Sequence, residues 1–398
     1  MDITSKGKSP FYPGQPVPSE LFSGRKEQIE QIRRAISQVA SGKQQMLFLQ
    51  GEYGIGKSSL AGVMKLFAEE HSQLFGIHVQ LGGAKTLEDV ATRTLEVTLS
   101  TKAYQPSRTE KIRGFLAKYI SEITLFGSIN LNMSAIKIDA PSLANGFLPF
   151  LETLLENLKE TGIKGIFLIL DELNGITANK DFSYFIKSLV DQNALQKIPL
   201  PLLLMLCGVP ERRQEMIRNH QPIDRIFEIV KIDPFSKEET KDFFEKAFKS
   251  VDMTIEKSAL DIMIQNSDGY PKVMHIIGSK IYWGTQNSRI TTLEAIEGVL
   301  RAAEEIGQQF VDEQILNALK SKDYKNILRK LVVHKFDLEF YKQDIEKSLN
   351  EAEKKKFHNF LQKMKKLSLL KAGAEKGQYL FSDRLKKIYI HMTFALKK

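Results

Sequence analysis

Apolar residues along this chain fall into two patterns, and the alternation between them predicts the architecture. Five short runs are apolar at consecutive positions: Met46 to Gln50, Ile77 to Leu81, Ile166 to Asp171, Leu202 to Cys207 and Phe227 to Ile232. Strands covered by helices on both faces carry this signature, whereas half-exposed strands alternate apolar with polar. Between the runs lie stretches of helical character. Strand and helix in alternation predict an α/β fold built on a doubly wound parallel sheet.

From Ser236 to about Ile306 the helical period dominates, with Ser236-Lys-Glu-Glu239 offering a capping-box start and Gly269-Tyr-Pro271 breaking the run. That segment, 236–306, predicts a small helical lid. The remainder, 307–398, reads as three amphipathic helices (Lys322 to Val333, Lys342 to Leu349, Glu351 to Lys366) followed by a hairpin and a last helix. The hairpin would run from Leu367 to Ala372 and from Gln378 to Phe381, across the turn Gly373-Ala-Glu-Lys-Gly377. This is the order of a winged helix-turn-helix domain, whose third helix enters a DNA groove. Residues 21–235 hold the sheet, and residues 1–20, rich in proline, predict a flexible N-terminal arm. Period-2 alternation at Ile129 to Met133 and Ala135 to Ile138 predicts a small hairpin inserted between the second and third strands.

Composition narrows the class. The chain has 398 residues, 42% hydrophobic and 26% charged, the profile of a globular protein of two or three domains. Its longest apolar run, Ile198 to Cys207, is about half a membrane span, and no secretory stretch opens the chain. With one cysteine, Cys207, no internal disulfide can form. A cytoplasmic protein with no membrane partner is expected. The net charge of +9 is uneven: residues 320–398 hold 21 Lys and Arg against 9 Asp and Glu, a balance of +12, and the rest hold 36 against 39, or −3. A compact basic domain behind a near-neutral one is an electrostatic footprint for nucleic acid, and with the winged-helix order the expected partner is double-stranded DNA. The third C-terminal helix concentrates it, in Lys354, Lys355, Lys356, Lys363, Lys365 and Lys366.

The candidate chemistry begins at Gly51-Glu-Tyr-Gly-Ile-Gly-Lys-Ser58, a P-loop placed between an apolar strand and a helix that begins near Ser59. Gly51, Gly54 and Gly56 let backbone N–H groups converge on phosphate oxygens, with Glu52, Tyr53 and Ile55 completing the cradle. Lys57 would reach the β- and γ-phosphates of ATP, and the Ser58 hydroxyl would ligate Mg2+. A buried strand then ends in Asp171-Glu172, where such sheets hold ligands. Asp171 is placed to support the metal and Glu172 to orient or deprotonate water. The seven histidines show no metal-ligand spacing, and no G-x-S-x-G elbow is present.

Together with Leu21-Phe-Ser-Gly-Arg-Lys-Glu27, similar to an F-x-G-R-x-x-E box, and the turn Gly269-Tyr-Pro271, similar to a G-x-P lid turn, these motifs resemble the AAA+ branch of P-loop ATPases. Within it the chain is similar to STAND signal-transduction ATPases and archaeal or origin-recognition-like ATPases. The resemblance implies that Gly24 and Arg25 lie near the adenine and that Pro271 closes over the nucleotide from the lid. It also implies that Arg225 supplies charge to the γ-phosphate, often from a neighbouring subunit of a homo-oligomer, with Arg212 and Arg213 as rivals. One departure is visible: the fourth strand ends in Cys207-Gly208, where the family carries a polar γ-phosphate sensor. A thiol bonds weakly, so slow hydrolysis is expected. Three functions share this chemistry: an ATP-controlled switch coupled to DNA, a replication or transposition ATPase loading a partner on DNA, and a signalling or defence ATPase whose winged helix contacts a separate effector protein.

Overall fold

The structure, a computed structural model, describes residues 6–15, 17, 22, 24–100, 140–316, 319, 321–333, 338–373 and 375–395. The alternating segments at Ile129 to Met133 and Ala135 to Ile138 lie outside these, as do Leu21 and Ser23. The chain forms two compact units. One runs from Pro16 to Asp233; the other joins the N-terminal residues up to Gln15 with Pro234 onward.

The first unit is the expected parallel sheet. Its strands are β1 (Gln45–Gln50), β2 (Leu74–Gln80), β3 (Gly165–Asp171), β4 (Leu202–Gly208) and β5 (Glu228–Lys231), in the order β2-β3-β4-β1-β5. All seven residues of β3 and of β4 are buried, because helices cover both faces of the sheet's middle. Consecutive apolar positions are therefore what these strands require. The helices are α1 (Lys26–Ala40), α2 (Lys57–His71), α3 (Leu87–Ser100), α4 (Ala140–Lys159), α5 (Lys180–Ala194) and α6 (Pro210–Asn219). On one face Leu168, Leu170, Leu204 and Leu206 share a core with Phe182, Phe185, Ile186 and Leu189 of α5. Each such side chain contributes about 2 kcal/mol by leaving water. Because every strand runs the same way, Gln50, Asp171 and Gly208 finish at one edge, with β4 between the other two strands.

The second unit opens with four helices, α7 (Lys237–Lys249), α8 (Lys257–Ser267), α9 (Pro271–Gly284) and α10 (Thr292–Ile306), and a two-residue parallel pair, β6 (Thr254–Ile255) with β7 (Arg289–Ile290). The capping box forms as the sequence predicts: the Glu239 amide donates to Ser236 Oγ at 3.1 Å and the Ser236 amide to Glu239 Oε2 at 2.9 Å. At the Gly-Tyr-Pro turn, Gly269 has φ 70°, and a Cβ there would meet the Phe235 carbonyl oxygen at 2.2 Å. Only glycine fits this close, left-handed approach.

The expected free arm at 1–20 is, over residues 6–15, a packed part of this unit. Phe11 is 4% exposed, with its ring 4.8 Å from that of Phe248 and 6.1 Å from that of Phe243. A Cβ on Gly278 would fall 2.2 Å from the Phe11 ring, so the glycine makes the slot. Lys6 Nζ donates to the carbonyls of Tyr282 and Thr285 at the end of α9, and the Tyr282 hydroxyl donates to the Gly7 carbonyl at 2.9 Å. Prolines that prevent regular structure do not prevent docking; one buried aromatic ring and a few backbone bonds hold the segment.

The C-terminal part comprises α11 (Lys322–Val333), β8 (Glu339–Tyr341), α12 (Lys342–Glu346), α13 (Glu351–Lys366), β9 (Leu370–Ala372), β10 (Gln378–Phe381) and α14 (Arg384–Ala395). The hairpin is present, and β8 adds a third antiparallel strand in the order β8-β10-β9. The second helix is one turn shorter than its apolar spacing suggested. Helix α14 serves two cores, with Leu385 in the cluster formed by α7 to α10 and Ile390 in the C-terminal one, and Arg384 pairs with Asp268 at 3.3 Å. Among the described residues, no helix is long and apolar enough to cross a membrane.

The docked N-terminal segment makes the second unit sensitive to pH. The Tyr12 amide donates to His275 Nδ1 at 3.2 Å, so that nitrogen must be unprotonated, and burial pushes the imidazole down to about 4 from an ordinary 6.5. The unfolded chain binds the proton first, so this contribution is complete above pH 6.5 and is lost as pH falls toward 4. Between pH 6.5 and 5 the protein should lose about 2 kcal/mol of stability, read as a falling melting midpoint, and His275→Gln should flatten that slope.

Candidate nucleotide site

The P-loop is held at the sheet's C-terminal edge by contacts along its length. The Gly51 amide donates to the Gly208 carbonyl at 3.2 Å, which ties the loop's start to the end of β4. A Cβ on Gly51 would sit 2.8 Å from Ile55 Cγ2 and 3.0 Å from the Ile232 carbonyl oxygen, so a larger residue would open the loop. Gly54 and Gly56 have φ 75° and 95°, left-handed backbone that lets successive N–H groups turn inward. Gly56 then starts α2, which aims its positive end at the loop's concavity.

Lys57 Nζ donates to the Gly51 carbonyl at 2.9 Å and the Glu52 carbonyl at 2.8 Å, and lies 5.7 Å from the centre of the Tyr53 ring. Burial lowers the pKa of this ammonium, while the carboxylates of Asp171, Glu52 and Glu172 oppose the shift. Tyr53 stands 63% exposed at the loop's tip, and its hydroxyl donates to Asn174 Oδ1 at 2.7 Å. Ile55 is buried and fixes the loop from beneath. The Ser59 hydroxyl, at the residue after the metal-binding serine of the motif, accepts from the Val17 amide at 3.3 Å.

Asp171, 1% exposed at the end of β3, is the electrostatic centre of the site. Its Oδ2 lies 3.1 Å from His78 Nε2 and 3.5 Å from Gln80 Nε2, and its Oδ1 accepts from the Glu172 amide at 2.8 Å. The Ser58 hydroxyl is near enough to help lower its pKa. Burial works to raise this carboxyl's pKa, but hydrogen bonds from His78, Ser58 and the Glu172 amide outweigh it and hold the group below the usual carboxylate range. The P-loop serine and the strand-end aspartate, more than a hundred residues apart in sequence, are thus brought close together. Among the described residues no three His, Cys, Asp or Glu side chains converge as a metal cage. A hydroxyl and one carboxylate fit Mg2+, which favours few protein oxygens and takes the rest from phosphate and water.

Glu172 has φ 57°, a left-handed conformation that costs a non-glycine residue about 1 kcal/mol. Strain of this kind collects at functional positions. The twist turns its carboxylate over Gly82 in the loop after β2, where an added Cβ would lie 2.3 Å from Glu172 Oε2. Arg93 braces that loop by donating to the Gln80 and Gly82 carbonyls, each at 2.9 Å. Cys207 is fully buried; burial and the Asp171 charge push its thiol well above the ordinary value, with Lys57 opposing. At neutral pH Cys207 is therefore a protonated thiol.

The three candidate arginines differ in how far they are committed. Arg212 donates to Glu215 Oε2 at 2.7 Å, and Glu215 also accepts from the Thr177 hydroxyl at 2.6 Å. Arg213 is paired with Asp224. Arg225 ends a short 3-10 turn, Gln221–Arg225, just before the edge strand β5; it is exposed and has no hydrogen-bond or ion-pair partner among the described residues. Gly24 and Arg25 both adopt positive φ, at 72° and 64°. Arg25 is buried and braces two segments, donating to the Ile55 carbonyl at 3.0 Å and to the Asp233 carbonyl. Pro271 belongs to the second unit, at the first position of α9.

Three participants escaped the sequence reading: His78, Gln80 and Asn174. His78 and Gln80 did leave a signal, as polar residues at alternate positions of an otherwise apolar strand, which marks one face at that strand's end.

Gly82→Ala tests the placement of Glu172. The methyl group meets the far end of a flexible side chain, so the fold should survive while the carboxylate is displaced. ATP affinity is expected to stay within about twofold and turnover to fall roughly tenfold or more, as for a misplaced general base. Unchanged turnover would show that Glu172 does not act from this position.

Residues 21–205 match the AAA ATPase domain family. No curated protein is significantly similar to the chain in sequence. Among solved structures, the Walker-type ATPase of Pyrococcus abyssi is similar with a TM-score of 0.57 at 16% identity, over 93% of this chain and 96% of that one. The ORC2 protein of Aeropyrum pernix, solved as ADPNP–ADP complexes, gives a TM-score of 0.57 at 13% identity, over 99% and 98%. At such identities the likeness speaks for the fold. With a phosphate-binding loop, a strand-end Asp-Glu and β4 set between their two strands, the first unit has a P-loop NTPase fold, and its segment from 21 to 205 matches the AAA ATPase domain family.

Proposed function

We propose that the chain is a slowly hydrolysing ATP-dependent switch that works as a homo-oligomer and couples its nucleotide state to duplex DNA. The observation that carries this reading is the meeting of Ser58 with Asp171 beside the Lys57 ammonium, at the edge where β1, β3 and β4 end. There Lys57 offsets phosphate charge, and Ser58 and Asp171 together would hold Mg2+. Bound Mg2+ supplies charge neutralisation at the phosphate oxygens. Glu172 orients and deprotonates the attacking water. The ORC2 relative, whose structure holds ADPNP and ADP, supports nucleotide binding in such a fold.

Two features favour a switch over a motor. The protonated Cys207 thiol is a weak partner for a γ-phosphate, so turnover should be slow. Arg225 is an exposed, uncommitted cation at the sheet's edge, whereas Arg212 and Arg213 are engaged within their own subunit. A neighbour's Arg225 would complete the site only on assembly, with its planar fork matched to developing phosphoryl charge. Pro271 and Gly24 are assigned to the nucleotide by family resemblance. The +12 balance of residues 320–398 and their helix, strand, helix, helix, hairpin order support a winged-helix DNA module.

Mixing two impaired variants tests the assembly. Glu172→Gln should bind ATP and lose turnover, and Arg225→Ala should bind ATP with turnover reduced roughly tenfold or more. Mixed, they should regain a measurable part of the parent rate, because some interfaces join an intact Glu172 to an intact neighbouring Arg225. Mixed assemblies without rescue would place the arginine's action within one subunit and remove the argument for assembly control.

A further inference from the structure

Helix α13 packs through one stripe and leaves another uncovered. Phe357, Phe360, Leu361 and Met364 are buried against the C-terminal core, and the helix start is anchored by an Asn350–Glu353 capping box and a Lys330–Glu353 ion pair at 2.6 Å. On the opposite side Lys355, Asn359, Gln362 and Lys366, spaced by four, three and four residues, are all exposed. These spacings keep them on one face. His358 borders the stripe and is exposed as well.

Several flanking lysines are engaged: Lys354 pairs with Glu351 at 2.9 Å, Lys356 with Asp323 at 2.6 Å, and Lys363 lies 5.8 Å from the centre of the Tyr324 ring. Lys355, Lys365 and Lys366 have no such partner among the described residues, and neither do Asn359 and Gln362. From Lys354 to Lys366 the helix carries no acidic side chain. The outer face is thus two uncommitted amides set between uncommitted ammonium groups.

We propose that Asn359 and Gln362 read adenine edges in the major groove of duplex DNA, so that binding through α13 is sequence-selective. The inference rests on the DNA reading above and adds base recognition to it. Phosphates need only positive charge, which the lysines provide; a side-chain amide at the centre of the face adds a paired donor and acceptor. That pair matches adenine N7 and N6, a combination the major groove displays at adenine. A helix about 10–12 Å across enters a groove about 12 Å wide. Three residues of helix advance about 4.5 Å, close to the 3.4 Å step between base pairs, so the two amides reach neighbouring pairs while Lys355 and Lys366 extend toward the phosphates at either end.

The test uses the full-length protein with ATP and magnesium, offered a library of duplexes with a randomised centre, and compares the parent with the Asn359→Ala, Gln362→Ala double variant. Both side chains are exposed, so the variant should melt at the parent temperature. The parent should enrich a motif containing adenine. The variant should keep its salt-sensitive affinity for unselected duplex within about twofold and lose preference for the motif by roughly tenfold or more. Enrichment of the same motif by the variant, or duplex binding by the parent with no motif at all, would overturn base reading and leave the DNA reading standing. Equal competition by duplex RNA would also overturn it, since a deep, narrow A-form major groove excludes a helix. No affinity for any duplex at low salt would remove the DNA reading itself.

Discussion

A carboxylate that is 1% exposed at the C-terminal end of an inner strand of a parallel sheet sets the conditions for everything around it. An ionised group in that position is tolerable only when its oxygens are satisfied and charge stands nearby. Asp171 meets both demands through His78, Ser58 and the Glu172 amide, with Lys57 close enough to feel its field. Each partner comes from a different part of the site: His78 from β2, Ser58 from the first turn of α2, Glu172 from the turn after β3. The buried charge therefore holds three elements in register, and the sheet order is what allows it. With β4 between β1 and β3, Cys207 sits between the P-loop strand and the aspartate strand, which is why its thiol responds to both charges.

Much of this was legible in sequence because it is local. The P-loop's glycines, its lysine and its serine are adjacent in the chain, and the fully buried β3 and β4 show as unbroken apolar runs ending in Asp171-Glu172 and Cys207-Gly208. What could not be read depends on partners distant in sequence. Nothing in the spacing of His78 announces that it faces Asp171, since the pairing arises from the β2–β3 register, Gln80 opposite Asp171. The arginines are told apart only in three dimensions, where Asp224 and Glu215 engage Arg213 and Arg212 and, among the described residues, leave Arg225 without a partner. Strand β8, three residues long, is too short to show a period.

The second unit shows the same division. The capping box at Ser236 and the glycine demanded at 269 are written in adjacent residues, and both form. Residues 6–15 read as an arm because proline content and scarce apolar side chains describe a segment's own preference, and the buried Phe11 ring with a few hydrogen bonds overrides it. Helix α14 contributes to two cores for a comparable reason: its amphipathic spacing shows that it packs, and cannot show that Leu385 and Ile390 pack against different neighbours.

The most direct measurement is a calorimetric titration of ATP into the parent protein and into Asp171→Asn, each with magnesium and with chelator. If Asp171 and Ser58 hold the metal, magnesium should strengthen ATP binding to the parent by roughly tenfold or more, and the neutral amide should lose most of that gain while still binding free ATP through Lys57 and the loop. Equal magnesium dependence in both proteins would contradict the account, because the buried carboxylate would then be a structural group with no part in the nucleotide's metal.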